Sequence, residues 1–107
     1  MSYSLVQGDL EPDMEIDVTA VQGGAPVNLS GAIQLQLRWR KPDKTDSLVN
    51  LVAIDLVNGR VKRVWVTGDS DQIGLHKGQV VVTESNGEIA TYPNDGSYVL
   101  WYVYPQL

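Results

Sequence analysis

His76 is the only histidine in the chain, and it is the first residue to test for catalysis because imidazole is the commonest general base. A Ser-His-Asp triad also needs a positioned nucleophile, and the sequence contains no G-x-S-x-G elbow. The acidic pairs Asp69/Asp71 and Asp43/Asp46 could supply paired carboxylates, but turns select aspartate for its hydrogen bonds to the local backbone. We therefore expect His76 at the surface or in an interface, no catalytic residues and no enzymatic activity.

Oxygen-rich segments raise the question of a metal site. Asp9, Glu11 and Asp13 form one alternating acidic run, and residues 68–71, GDSD, form another. Calcium binds clustered oxygen ligands in loops, but neither run has the spacing of an EF-hand. The chain has no cysteine and a single histidine, which argues against zinc and rules out disulfides. We expect no metal and no cofactor, and the sequence leaves calcium binding at the acidic turns open.

Length and charge restrict the classes of partner. A chain of 107 residues supports one domain, which we place over residues 1–107. The net charge of −5 argues against nucleic acid, because phosphate binding needs clustered lysine and arginine. The basic residues form two mild clusters that we expect at solvated strand ends and turns: Arg38, Arg40, Lys41 and Lys44, then Arg60, Lys62 and Arg63.

The first residues, MSYSLVQGDLEPD, lack the basic and apolar regions of a secretion signal. No apolar run approaches the roughly 20 residues of a membrane helix. The sequence therefore predicts a soluble chain made in a cytoplasm, with no membrane partner.

Alternating patterns predict an all-β fold. Apolar residues occupy every second position from Met14 to Ala20 and from Ile33 to Trp39, so one face of each strand should lie in the core. Asn86-Gly87 is a strong signal for a hairpin with a type I′ turn, and Asn58-Gly59 is a second hairpin signal. Residues 48–57 are apolar on both faces and form either one central strand or two short ones. The turn spacing is typical of a sandwich or small barrel of seven to eight antiparallel strands with almost no helix.

Aromatic residues leave two explanations open for the last strand. Trp39 and Trp65 share strand faces with aliphatic residues, so we expect them in the core rather than on a glycan-binding platform. The last strand, 97–104, alternates two apolar faces: Tyr98, Leu100, Tyr102 and Tyr104 against Val99, Trp101 and Val103. A strand that is apolar on both faces is either central in its own fold or covered by a partner.

Five motifs follow one another along the chain: QGD at 7–9 with Pro12-Asp13 after it, VNLSGA at 27–32, NGRV at 58–61 with Trp65 after it, GDSDQIG at 68–74, and NGEIATYPN at 86–94. In this order they resemble the small immunoglobulin-like β-sandwich domain of tailed bacteriophages. That domain occurs at the N-terminus of baseplate upper proteins and in related short virion proteins. The chain departs from the family pattern at Arg63 and His76, where the family often has aromatic residues.

The resemblance implies an all-β, antiparallel immunoglobulin-like β-sandwich with a structural role in a virion. The implied function is attachment in the tail, baseplate or fibre region. The alternatives are a capsid-surface decoration or neck protein and, in a different class, a carbohydrate-binding module for host-surface glycans. The implied partners are other virion proteins and copies of the same chain, with a host glycan less favoured. The implied location is the virion, after synthesis in the host bacterial cytoplasm.

The expected contact surface combines the last strand with the N-terminal segment. Residues 1–9 could act as a docking arm, because short terminal segments often complete a neighbour's sheet by strand addition. The candidate interface residues are Tyr98, Leu100, Tyr102, Tyr104, Leu5 and Val6.

Overall fold

The structure is a computed structural model that describes residues 3–107. Over that range it contains no helix, and so no helix that could cross a membrane. Its nine strands are β1 Tyr3–Val6, β2 Met14–Asp17, β3 Ala32–Arg40, β4 Asp46–Asn50, β5 Val52–Asp55, β6 Arg60–Arg63, β7 Gly74–Glu84, β8 Ile89–Tyr92 and β9 Val99–Tyr104. The all-β prediction is confirmed, with nine strands rather than seven or eight.

The strands form two sheets. The larger sheet has the order β1-β9-β7-β3-β4, and the smaller has the order β2-β6-β5. β7 is the centre of the larger sheet because its 11 residues pair with β3 along one edge and with two strands along the other. On that second edge, β9 pairs with the first part of β7 and β8 with the last part. The pairing of β1 with β9 is parallel, and the other strand pairings of residues 3–107 are antiparallel.

One hydrophobic core lies between the two sheets and takes side chains from both. At its centre are the indole rings of Trp39, Trp65 and Trp101, with centroids 5.5 to 6.0 Å apart. The predicted core positions of Trp39 and Trp65 are therefore confirmed. Gly78 makes room for this cluster, since a Cβ there would lie 2.8 Å from Leu37 Cδ1 and 3.1 Å from a Trp101 ring carbon.

β3 begins with an irregularity that overturns the predicted orientation of Ile33. The register of β3 with β7 shifts between Ala32 and Gln34, and Ile33 is 68% exposed. Beyond the shift, Leu37 and Trp39 face the core as predicted. Because side chains alternate along a strand, one extra residue changes which face the preceding side chains occupy.

Residues 48–57 form two short strands in different sheets. β4 pairs with β3 in the larger sheet, and β5 pairs with β6 in the smaller sheet. The chain crosses between the sheets at Leu51, which is buried. Both strands lie at a sheet edge, so Leu48, Val52 and Ile54 remain exposed.

Both predicted hairpins are present, but the type I′ turn at Asn86-Gly87 is wrong. The N–H of Gly87 donates to the Glu84 carbonyl at 3.0 Å, and the φ of Gly87 is +87°. Within residues 3–107, Lys44 is the only non-glycine residue with positive φ, so Asn86 cannot adopt the type I′ geometry. The turn is a type I turn followed by a left-handed glycine. Gly59 ends the other hairpin turn in the same way, with φ of +65°.

Candidate functional site

His76 lies in the core, so the predicted surface or interface position is wrong. Its side chain is 0% exposed and its ring stacks on Trp101 with centroids 5.5 Å apart. Trp39 Nε1–H donates to His76 Nδ1 at 2.9 Å, and His76 Nε2 lies 2.9 Å from the Gln72 carbonyl oxygen. The indole only donates and the carbonyl only accepts, so the ring is neutral with its proton on Nε2. Burial is the main cause that lowers the pKa of His76 below its ordinary value.

Arg63 is also buried, which corrects its predicted place at a solvated strand end. Its side chain is 10% exposed and donates from NH2 to Asp69 Oδ2 at 2.9 Å. NH1 of Arg63 donates to the Asn50 carbonyl at 3.0 Å. Asp69 Oδ2 also accepts the Val66 N–H at 2.9 Å. The acidic turn at residues 68–71 is thus joined to the strands by a buried ion pair.

The second acidic pair supports a local turn and a strand pairing. Asp43 Oδ1 accepts the N–H and hydroxyl of Thr45 at 2.9 and 2.6 Å, and these bonds lower the pKa of Asp43. Asp46 accepts two bonds from the guanidinium of Arg40, which lower the pKa of that carboxyl. Within residues 3–107, no group of three histidine or acidic side chains is close enough to hold a metal ion.

The two apolar faces of β9 have different environments. Trp101 and Val103 face the core and are 1% and 0% exposed. Leu100, Tyr102 and Tyr104 alternate with them on the outer face of the larger sheet and are 41%, 38% and 52% exposed. Packing within the chain therefore accounts for one face of β9 and leaves the other face uncovered.

Neighbouring strands extend this exposed surface. Val6 of β1 pairs with Tyr104, and Leu75 of β7 pairs with Tyr102, so all four side chains share the outer face. The rings of Tyr102 and Tyr104 lie 4.6 Å apart, tilted by 48°. We call this surface the aromatic face, which consists of Val6, Leu75, Tyr98, Leu100, Tyr102 and Tyr104.

The N-terminal segment is docked on its own domain. β1 pairs with β9 of the same chain, and Leu5 is buried in the core, so Leu5 is not available as a contact residue. Val6 stays on the outer face. Ser70 Oγ accepts the Gly8 N–H at 3.1 Å and donates to the Asp9 carbonyl at 2.8 Å, which fixes the end of this segment. The docking arm is predicted over residues 1–9, and its first two residues lie outside the residues that the structure describes.

Three cations lie beside the aromatic face. Lys77 of β7 pairs with Leu100 of β9 on one side and with Arg40 of β3 on the other, so Lys77 and Arg40 share the outer face with Leu100. Arg38 precedes Arg40 by two residues in β3 and therefore lies on the same face. Lys77 Nζ lies 5.5 Å from the ring centroid of Tyr98. We call Arg38, Arg40 and Lys77 the basic stripe. Together with Asp46 and Tyr98 they line a depression of about 160 Å³.

A wider groove of about 580 Å³ runs between the sheets beside β2. Its lining includes the core residues Met14 and Ile16 and the acidic residues Glu15 and Asp17. Tyr98 and Leu100 of the aromatic face also line this groove. The buried His76 is not among its walls.

No protein-family model and no curated protein sequence matches this chain. We therefore infer the function from the surfaces described above. Sequence reasoning misses Leu75 and Lys77 as part of the exposed surface. The alternation of residues 75–80 could have placed Leu75 and Lys77 on one face of a strand. That this face adjoins the last strand follows only from the pairing of β7 with β9 and β3.

Proposed function

We propose that this chain is a non-enzymatic structural component of a bacteriophage virion, with the architecture of an immunoglobulin-like β-sandwich. It attaches parts of the tail, baseplate or fibre region to one another by protein–protein contact. The observation that carries the proposal is the aromatic face, where six large apolar side chains are exposed together on one sheet. Contiguous exposed apolar patches mark interaction sites, and tyrosine is enriched in interfaces. The resemblance of the five motifs supplies the virion part of the proposal.

Docking would place a partner flat on the outer face of the larger sheet. The tyrosine rings supply apolar contact area, and their hydroxyl groups can bond to polar atoms of the partner at the rim. β9 itself would not move, because Trp101 and Val103 anchor its other face in the core. The domain thus presents a rigid surface that needs no folding on binding, which keeps the entropic cost of association low.

Two alternatives use the same surface. A capsid-surface decoration or a neck protein would dock through the same face on a different partner. A carbohydrate-binding module would stack sugars on a flat aromatic platform, but the rings of Tyr102 and Tyr104 are tilted by 48° and share no plane. This tilt favours a protein partner over a glycan.

The test compares two double variants for incorporation into phage particles. Tyr102→Ser with Tyr104→Ser removes the centre of the aromatic face. Val57→Ser with Ile89→Ser is the matched control, because these side chains are 62% and 67% exposed and belong to neither the aromatic face nor the basic stripe. The particles are those of the phage genome that encodes the chain, purified after each variant replaces the parent chain.

We expect the aromatic-face variant to be at least about tenfold depleted from particles, since truncating a central interface aromatic typically costs about 2 kcal/mol or more. The control variant should be incorporated like the parent. Equal incorporation of both variants would contradict the proposal. Thermal unfolding of each purified variant is the fold check, and a tyrosine variant that unfolds would mean that these side chains are needed for folding. Glycan binding that is lost in a variant still incorporated into particles would favour the carbohydrate-binding module.

A further inference from the structure

Carboxylates occupy every second position from residue 9 to residue 17: Asp9, Glu11, Asp13, Glu15 and Asp17. We call this segment the acidic run. In β2, Met14 and Ile16 are buried, so Glu15 and Asp17 point to the outer face of the smaller sheet. Asp13 pairs with Lys62 at 3.2 Å and Asp17 with Arg60 at 3.1 Å. The ion pairs of residues 3–107 do not include Asp9, Glu11 or Glu15.

The basic stripe carries the opposite charge and lies on the outer face of the larger sheet. Arg40 is held by Asp46 at 2.8 Å, but Arg38 and Lys77 take part in none of the ion pairs formed by the described residues. Among the ion pairs of residues 3–107, none joins the acidic run to the basic stripe of the same chain. Both patches are therefore open to a second copy.

We propose that the acidic run of one copy docks on the outer face of the larger sheet of a second copy. This inference rests on the proposed function, because it names the occupant of the surface used for assembly. Glu15 enters the depression, whose walls include Arg38, Lys77 and Tyr98 beside the Arg40–Asp46 ion pair. Because Asp46 is already bound to Arg40, the guanidinium of Arg38 and the ammonium of Lys77 can both bond to the Glu15 carboxylate. Leu10, which is 40% exposed between Asp9 and Glu11, covers part of the aromatic face.

The contact joins two different patches, so it is heterologous rather than two-fold symmetric. Heterologous contacts build rings when the rotation closes and filaments when it does not. Each added copy brings a new acidic run and a new basic stripe. A chain that associates in this way forms a multi-copy ring or filament without a second protein.

A charge exchange tests the contact by sedimentation velocity of the purified chain. The basic-face variant is Arg38→Glu with Lys77→Glu, and the acidic-run variant is Glu11→Lys with Glu15→Lys. The control is Asp71→Lys with Glu88→Lys, which makes the same charge change as the acidic-run variant at exposed positions outside both patches. Protein concentrations extend to about 0.5 mM, where interfaces with a Kd from about 1 μM to 1 mM associate.

We expect the parent chain and the control to associate, and 1 M salt to reverse that association because it screens surface charges. Each patch variant alone should bind at least about tenfold more weakly, since like charges across an interface cost several kcal/mol. An equimolar mixture of the two patch variants should associate again, because each variant then offers the sign that the other needs. A parent that stays monomeric, a control that weakens equally, or a mixture that stays monomeric would overturn the inference.

These outcomes separate the inference from the proposed function. If the parent stays monomeric while the aromatic-face variant is still lost from particles, the second copy is the wrong occupant and the proposed function stands. If the mixture associates while the aromatic-face variant enters particles like the parent, self-docking stands and the proposed attachment surface is wrong.

Discussion

Protonation of His76 should destabilise the fold, and the structure gives the sign and size of this effect. The ring is fully buried, Nδ1 accepts from Trp39 Nε1–H, and Nε2 donates to the Gln72 carbonyl. A second proton would have to sit on Nδ1, where it would face the indole N–H at 2.9 Å. The folded state therefore keeps the neutral ring, and burial lowers the pKa of His76 below the 6.5 expected in an unfolded chain.

The direction of the pH dependence follows from this lowered pKa. Above pH 6.5 the ring is neutral in both states and the fold has its full stability. Below that pH the unfolded chain binds a proton that the folded chain excludes. The free energy of unfolding then falls with a limiting slope of about 1.4 kcal/mol per pH unit, until the pH reaches the folded pKa. Because the chain has no other histidine, no other side chain has its ordinary pKa in this range.

Urea denaturation between about pH 7 and about pH 5.5 measures this slope directly. His76→Gln should abolish it, since the amide can bond to the same two partners and does not titrate. His76→Phe should also abolish it, but at a cost of about 1–3 kcal/mol at every pH because the Trp39 N–H is left unpaired. A slope that persists unchanged in both variants would refute the account of His76.

Two further predictions concern the buried ion pair and the hairpin turns. Arg63→Ala should lower the free energy of unfolding by about 3–5 kcal/mol, because it leaves the Asp69 carboxylate buried without its cation. Urea denaturation measures this loss, and a loss under about 1 kcal/mol would contradict the prediction. Gly59→Ala should destabilise far more than Gly87→Ala, since a Cβ at Gly59 would lie 2.4 Å from the Val27 carbonyl and one at Gly87 meets open space. Gly87→Ala should cost only the strain of a left-handed residue, about 1–2 kcal/mol, and equal melting temperatures for the two variants would argue against the geometry of the Gly59 turn.

The class of fold follows from the sequence because strand alternation and turn residues are local signals. Met14, Ile16, Leu37 and Trp39 face the core as their spacing predicts. The details that the sequence does not show depend on contacts between distant segments. Ile33 lies at a register shift against β7, and such a shift changes the exposed face without any local mark in the sequence.

The buried polar residues could not be predicted for a related reason. His76 and Arg63 are polar by type, and a polar residue is assigned to the core only when its partners are known. Those partners are Trp39 and Asp69, which lie 37 and 6 positions away along the chain.

The candidate surface was predictable in part. The alternation of the last strand identifies Tyr102 and Tyr104 as one face, and the structure leaves that face exposed. The place of Leu5 in the core could not be read from the short segment 5–7, because it depends on the parallel pairing of β1 with β9. Lys77 and Arg38 join the same surface only through the register of β7 with its two neighbours.

Quantitative mass spectrometry of gradient-purified phage particles tests the central claim most directly. Under the proposed function the chain is encoded by a phage genome, and the particles are those of that phage. The measurement is the ratio of the chain to other virion proteins across the gradient. The proposed function predicts that the chain co-sediments with particles at a constant ratio. A chain that stays in the soluble fraction while complete particles form without it would contradict the account.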